Sequence, residues 1–358
     1  AVTPFEAAYI PIGHKSAPVE DPLFNTAPKE ETPQLPLKTV VDKLRPLLSD
    51  PAVLKVGHNL KYDILVLKKY DLPITPVDDT IVLSYLLAGT KHGHGMDELS
   101  LLHLNHRCVP YKDVVGYGKD MKGFDEIPVK DAYTYAAEDA DITLRLYHML
   151  KPRIAQEHVT TIYETLERPL IQIVTDMEHA GVLIDPKILH DMSKRFTALL
   201  ADQEAEIHKL AGHPFNVASP KQLGEILFDE MKIEGGKKGK TGAYSTSADV
   251  LETLAGQGIE IADKVIEWRG LAKLKSTYTD TLPEEVCPKT GRIHTSFATT
   301  LTNTGRLSSN SPNLQNIPIR TPAGKAIPHG LCGAEGAQDC LPRLLPSGTP
   351  PPGAFGGY

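Results

Sequence analysis

The sequence predicts an α/β fold up to about Lys151, then a mainly helical region, then a polar, turn-rich stretch that ends near Arg320. Three observations carry this reading. In the first part, short apolar strand-like runs alternate with helix-spaced segments, the pattern of strands linked by helices. Strong helix start and stop signals dominate the middle. From Val286 to Arg320 the chain has no Asp or Glu, while Lys289, Arg292, Arg306 and Arg320 are present.

Along the chain, Ala7–Ile12 alternates enough to be a strand, and Ala17–Pro36, rich in Pro and charge, reads as a loop. Leu37–Leu48 has helical spacing, and Val53–Val56 reads as a short buried strand. Asn59 is placed as the N-cap of a helix whose apolar face is Leu60, Ile64, Leu65 and Leu67. Pro169 lies in the first turn of a helix with Leu170, Ile173, Val174 and Met177 on its apolar face. Gly181 is suited to end that helix, and Val182–Ile184 follows as a strand. Ser219–Pro220 starts a helix through Leu227, with Ser as cap and Pro at the first position. Glu234–Ser245, glycine-rich with Lys237, Lys238 and Lys240, is expected to be a mobile basic loop. Asp249–Tyr278 is mostly helical, and Arg269 and Lys273, four apart, share a face that a solvated charge pair would also explain.

A length of 358 residues favours two or three domains, and 41% apolar residues is enough for a sizeable core. A formal net charge of -7 excludes a uniformly basic surface, so any polyanion contact must be a local strip on a mildly acidic body. The four cysteines, Cys108, Cys287, Cys332 and Cys340, show neither disulfide density nor close-paired metal spacing, which implies a reducing cytoplasm and no structural zinc. No apolar run approaches the ~20 residues of a membrane span, and no signal peptide is visible. The chain opens on Ala1 rather than Met, so its first residues are not expected to be the natural start.

The most informative run is Thr304 to Arg320, which packs amides, hydroxyls and two arginines into one turn-rich segment. Amides and arginines form bidentate hydrogen bonds to base edges, while hydroxyls and cations hold phosphates. The plain alternative is a polar loop over a sheet. Two further runs hold acids near helix starts or at helical spacing: Gly57-His58-Asn59-Leu60-Lys61-Tyr62-Asp63 and Tyr135-Ala136-Ala137-Glu138-Asp139-Ala140-Asp141. Taken singly, Asn59 reads as a cap, Asp63 as a first-turn acid favoured by the helix dipole, and Asp139 as a surface charge. Tyr135 and Asp139, four apart, put hydroxyl and carboxylate on one helical face. Converging carboxylates are what two-metal phosphodiester chemistry needs.

These three runs, in this order, resemble the bacterial family A DNA polymerases, and the resemblance extends from Ala7 to about Arg320 through Tyr133–Tyr147, Glu178–Asp185 and Trp268–Leu282. It implies an α/β 3′–5′ exonuclease domain of the ribonuclease H-like type over residues 1–150, with a mixed sheet and helices. A mainly helical thumb and palm entrance would cover 151–285, and the primer–template-binding start of an α+β polymerase palm 286–321. In this reading Asp63 and Asp139 bind metal, Tyr135 orients the attacking water, and Asn59 contacts the terminal nucleotide. Arg269 and Lys273 face duplex along the thumb, whose tip is Glu234–Ser245. Arg306 reads the minor groove at the primer terminus, and Asn313, Gln315 and Asn316 lie near template and primer. The implied cofactor is Mg²⁺ or Mn²⁺. The implied partners are primer–template DNA and single-stranded 3′ ends, with deoxynucleotides in the intact enzyme; a monomer in the cytoplasm is expected.

The family also needs an Asp-x-Glu pair on the first strand of the exonuclease domain, and Glu6, Glu20, Asp21, Glu30 and Glu31 have neither the spacing nor the setting. Half of the metal cage is therefore missing, and very weak or no exonuclease activity is expected. The palm aspartates and the fingers helix would lie beyond Arg320. From about Pro322 the resemblance stops in a tail, residues 322–358, rich in Pro, Gly, Ala and Leu. One reading is a disordered appendage; another is translation out of frame. Codons for Gln338 to Pro346, shifted by one base, can read Lys-Ile-Ala-Ser, one variable residue and Asp-Tyr-Ser-Gln, similar to the first catalytic palm motif. Competing functional readings are a catalytically inactive DNA-binding fragment and a ribonuclease D-like nuclease, the latter disfavoured by the Thr304–Arg320 run.

Overall fold

The computed structural model describes residues 1–15, 34–239 and 242–317, together with Gly324 and Ile327. Most of the predicted Ala17–Pro36 loop, Lys240, Arg320 and the tail readings fall outside the described residues. The chain divides into two compact units, one of residues 1–179 with 297–308, the other of residues 180–296 with 309–358. Helices dominate both, and the strands are few and short. Among the described residues no helix is long and apolar enough to cross a membrane.

The first unit is built on a helix, Val129–Gln156, whose Ile142, Leu146, Leu150 and Ile154 recur at helical spacing and are buried. They close one core with Leu60 and Ile64 of the Leu60–Lys68 helix, Leu83 of Thr80–Ala88 and Leu99 of Met96–Leu104. Two strands run parallel beside them, Lys55–Gly57 and Val77–Asp79, in the register Lys55 to Val77 and Gly57 to Asp79. The predicted strand at Val53–Val56 thus starts two residues later and ends one residue later, because pairing with Val77–Asp79 sets its limits. Ala7–Ile12 forms no strand. No ladder partner lies beside it among the described residues, and Tyr9 instead sets its ring edge-on to His14 and Phe124.

The helix predicted around Pro169 spans Arg168–Ala180, but its buried face is Ile171, Val174, Thr175 and Glu178, whereas the predicted Ile173 is exposed. An apolar-only pattern misplaced that face because one of its buried members is a glutamate, held by partners described below.

In the second unit, Asp185 caps the long Pro186–Ala211 helix by accepting from the amides of Lys187 and Ile188. Leu189, Phe196, Leu271, Leu274 and Tyr278 form one core, and Ile207, Leu223, Leu227, Leu251 and Val265 a second. Ser219 accepts from the Gln222 amide and starts the Pro220–Glu225 helix as predicted, with a wider turn continuing it over Ile226–Glu230. Ala248–Gly256 and Glu260–Leu274 fill the predicted Asp249–Tyr278 helical stretch. Gly181 sits at φ 66°, and a Cβ there would come within 2.8 Å of the His294 ring and 2.9 Å of the Ile293 carbonyl. Only glycine allows the antiparallel pairing of Val182–Leu183 with Arg292–Ile293 that follows.

Candidate functional site

Asn59 does not cap its helix as predicted. It adopts a left-handed conformation, φ 58° and ψ 45°, and its side chain makes no capping bond. The cap comes from Asp79, twenty residues later, whose carboxylate accepts from the amides of Asn59 (3.1 Å) and Leu60 (2.7 Å). The same carboxylate accepts from Ile81 (2.9 Å), so one buried acid caps two helices. Parallel pairing of the two strands brings Gly57 opposite Asp79, which is why this reach is possible. The result holds Asn59 exposed at the head of the helix that carries Asp63.

Asp63 is on the exposed side of that helix by surface area, yet neighbouring protein atoms desolvate it enough to raise its carboxyl above the usual range. Tyr135 and Asp139 come together on the Val129–Gln156 helix as their spacing predicts, close enough for phenol and carboxylate to shift each other's protonation. Tyr111 and Phe124 pack on the Tyr135 ring, with centroids 5.7 and 6.0 Å away. Burial, then the Asp139 charge, raises the phenol far above its ordinary value, so Tyr135 stays protonated as a donor. Burial pushes the Asp139 carboxyl up to about 6; the Tyr135 hydrogen bond opposes this, and Glu138 and Asp97 add to it. Asp97, in the first turn of Met96–Leu104, was not singled out in the sequence; its only signal is that first-turn position. Among the described residues neither Asp63 nor Asp139 belongs to a group of three metal-capable side chains.

A test follows from the direction of these shifts. Asp139 is raised from 3.8 to about 6, so folding takes up a proton there. That contribution is complete below the unfolded value near 4 and is lost as pH rises through about 6. Asp139→Asn is therefore expected to be more stable than the parent at pH 7, by roughly 1–2 kcal/mol, and equal to it near pH 4. Thermal melts across that range check it; equal stability at pH 7 would remove the argument.

The polar segment is organised around a turn. Thr302 Oγ donates to the Arg306 carbonyl (2.9 Å) and accepts from the Arg306 amide (3.1 Å), with Gly305 at φ 69° between them. Tyr85 donates to the Thr302 carbonyl at 2.6 Å, and the Arg306 side chain stands exposed at the tip. In the second unit, the Asn313 side chain accepts from the amides of Gln315 and Asn316, and Gln315 accepts from the Ser309 amide. The carbonyl oxygens of Asn313 and Gln315 therefore shape the loop, while Asn316 is exposed. Arg269 is half-buried and donates to the carbonyl and hydroxyl of Thr246, and burial lowers it from its ordinary value. Lys273 on the same helix is exposed. Glu234–Ser245 carries a bridge between Lys238 and Tyr244, with the ammonium 4.5 Å from the ring centroid.

The described residues thus offer a capped acid-bearing helix head, a tyrosine–aspartate pair and an arginine turn in an acid-free segment. Residues 3–155 match the family model described as 3′–5′ exonuclease, and residues 186–341 that of DNA polymerase family A. The chain belongs to DNA polymerase family A and includes its 3′–5′ exonuclease portion. The match to residue 341 runs past Pro322, where the residue reading ends the resemblance. DNA polymerase I of Rhizobium leguminosarum is 49% identical over 325 residues, covering 91% of this chain and 32% of that protein. The Pseudomonas aeruginosa enzyme is 40% identical over 340 residues, covering 94% and 36%. The solved POL domain of Pol1 from M. smegmatis, in complex with DNA primer-template and dNTP, superposes with a TM-score of 0.69 at 30% identity, over 85% of this chain and 49% of that one. The chain thus spans about a third of the length of the curated relatives it matches.

Proposed function

We propose that this chain is the part of a replication and repair polymerase that holds the primer terminus, with a 3′-end-editing acid site in its exonuclease domain and a thumb and palm entrance following it in the sequence. The observation that carries the first element is the Arg306 turn: an exposed guanidinium on a doubly hydrogen-bonded turn within a segment free of acids. Minor-groove acceptors occur on every base pair, so an arginine there checks pairing geometry without reading sequence. Asn316 and Lys273 supply further exposed donors, and Asn313 and Gln315 set the loop. The solved relative's primer–template complex supports the same partner.

For the editing site, the donors are hard oxygens, and the desolvated, proton-raised carboxyls of Asp63 and Asp139 suit a divalent cation such as Mg²⁺ or Mn²⁺. Such an ion, held by these two acids, would supply activated water and charge stabilisation at the phosphate oxygens, but without the Asp-x-Glu pair the cage is half complete and exonuclease activity of this chain is expected to be very weak or absent. Tyr135 holds a protonated phenol beside Asp139 that can orient the water, and Asn59 presents its side-chain amide at the helix head for a terminal nucleotide. The ribonuclease H-like sheet, the monomeric state and a cytoplasmic setting belong to this proposal.

Arg306→Ala is expected to weaken primer–template binding by about 1–3 kcal/mol, evenly across sequences, with the melting temperature unchanged. Fluorescence anisotropy on a labelled primer–template reads this directly. Unchanged affinity sinks the role.

A further inference from the structure

We infer that His106, Cys108 and Glu138 form a second cation site, suited to a soft divalent ion of the Zn²⁺ class and separate in chemistry from the oxygen-only acids Asp63 and Asp139. One ligand atom from each of the three lies within 4.8 Å of the others. They come from two elements. His106 and Cys108 sit on the loop after Met96–Leu104, and Glu138 is on the Val129–Gln156 helix. The sequence spacing hid the group, because a single His-x-Cys pair lacks the second close pair that marks a structural zinc site.

The loop is already set for such a ligand. Asn105 ends the preceding helix in a left-handed conformation, and Ser100 donates to the His106 carbonyl at 2.9 Å, which fixes the backbone on which both donors stand. Glu138 receives the Val109 amide on one oxygen (2.7 Å) and meets His106 Nε2 on the other (2.8 Å). Cys108 is 4% exposed, and the His106 and Glu138 side chains are 37% and 17% exposed. The thiol thus lies on the inner side of the group and the imidazole on the solvent side. Zinc bonds of about 2.0–2.3 Å require tetrahedral donors to lie about 3.3–3.8 Å apart, so closure needs a shift of about 1 Å, which the partly exposed imidazole can make.

Donor chemistry selects the ion. Thiolate with imidazole favours Zn²⁺, Co²⁺ or Cd²⁺ and discriminates against Mg²⁺, which prefers oxygen and water. On binding, the thiol proton leaves to solvent, the imidazole proton moves by way of solvent from Nε2 to Nδ1, the hydrogen bond between His106 and Glu138 is exchanged for two metal bonds, and the second Glu138 oxygen keeps the Val109 amide. Three protein ligands leave the fourth position to water. The filled site pins the loop to the helix that carries Tyr135 and Asp139.

Co²⁺ titration of the full chain tests this, because a thiolate-to-cobalt charge-transfer band reports a bound thiol and no carboxylate site produces it. The expected result is one equivalent of Co²⁺ bound with that band, its loss in Cys108→Ser, and at least about tenfold weaker binding in His106→Ala. Zn²⁺ is expected to raise the melting temperature of the parent and not of Cys108→Ser. The band should persist in an Asp63→Asn, Asp139→Asn double variant, which keeps this result independent of the proposed editing site. No band, a band that survives Cys108→Ser through Cys287, Cys332 or Cys340, or a band lost with the two aspartates overturns the inference.

Discussion

Asp79→Ala is expected to cost about 3 kcal/mol of folding stability, about 1 kcal/mol for each of the three backbone amides it satisfies. The side chain is 3% exposed, so water cannot readily replace it, and the Asn59, Leu60 and Ile81 amides would be left without an acceptor. Burial pushes its carboxyl up to about 6, because the three amide bonds do not fully offset the lost hydration. Deleting the group relieves that penalty but orphans two helix starts, and the second effect is the larger. Asp79→Asn separates the contributions. Its remaining oxygen can serve Asn59 and Ile81, while the amide nitrogen would face the Leu60 amide, so an intermediate loss is expected. Urea unfolding measures the stability, and amide exchange at Leu60 and Ile81 locates it. A loss under about 1 kcal/mol in the alanine variant would mean the helix heads find other acceptors. Since Asn59 is held in its left-handed pose by this carboxylate, the same variant disorders the head of the helix that presents Asp63.

What the sequence made legible was local. Ser219–Pro220 marked a helix start because cap and proline act within one turn, and Tyr135 with Asp139 met because four residues make about one turn of helix. What it missed was made by partners distant along the chain. Asn59 was read as its own cap, when the acceptor is twenty residues away on a parallel strand. Arg269 was grouped with Lys273 as one cationic face, yet its guanidinium reaches Thr246, twenty-three residues back. Asn313 and Gln315 were placed near template and primer, and nothing in the sequence showed that their side-chain oxygens also build the loop that carries them. Side-chain type predicts what a group can bind, whereas its available partners decide which bond it makes.

Glu178 is the clearest such case, and its removal is expected to have the largest effect of all. It is 6% exposed and accepts both the Lys61 ammonium and the Phe297 amide on one oxygen, while Lys61 also donates to the Phe297 carbonyl. The two side chains thus give Phe297 the donor and acceptor that a neighbouring strand would supply. Glu178→Ala is expected to cost about 3–5 kcal/mol, because it removes the carboxylate paired with Lys61 and the acceptor of the Phe297 amide in a largely buried place. Lys61→Met should cost less, since the glutamate keeps the Phe297 amide, and the double variant should lose less than the two single changes together. The Phe297–Ser308 segment carries the Arg306 turn, so Glu178→Ala should weaken primer–template binding along with stability. Arg306→Ala, by contrast, should weaken binding alone. Unfolding curves for the four proteins of the cycle, with anisotropy on the same samples, give both quantities. Additive losses would mean that Lys61 and Glu178 act separately. Intact binding in a destabilised Glu178→Ala would mean that the arginine turn holds its shape through Tyr85 and Thr302 without the clamp.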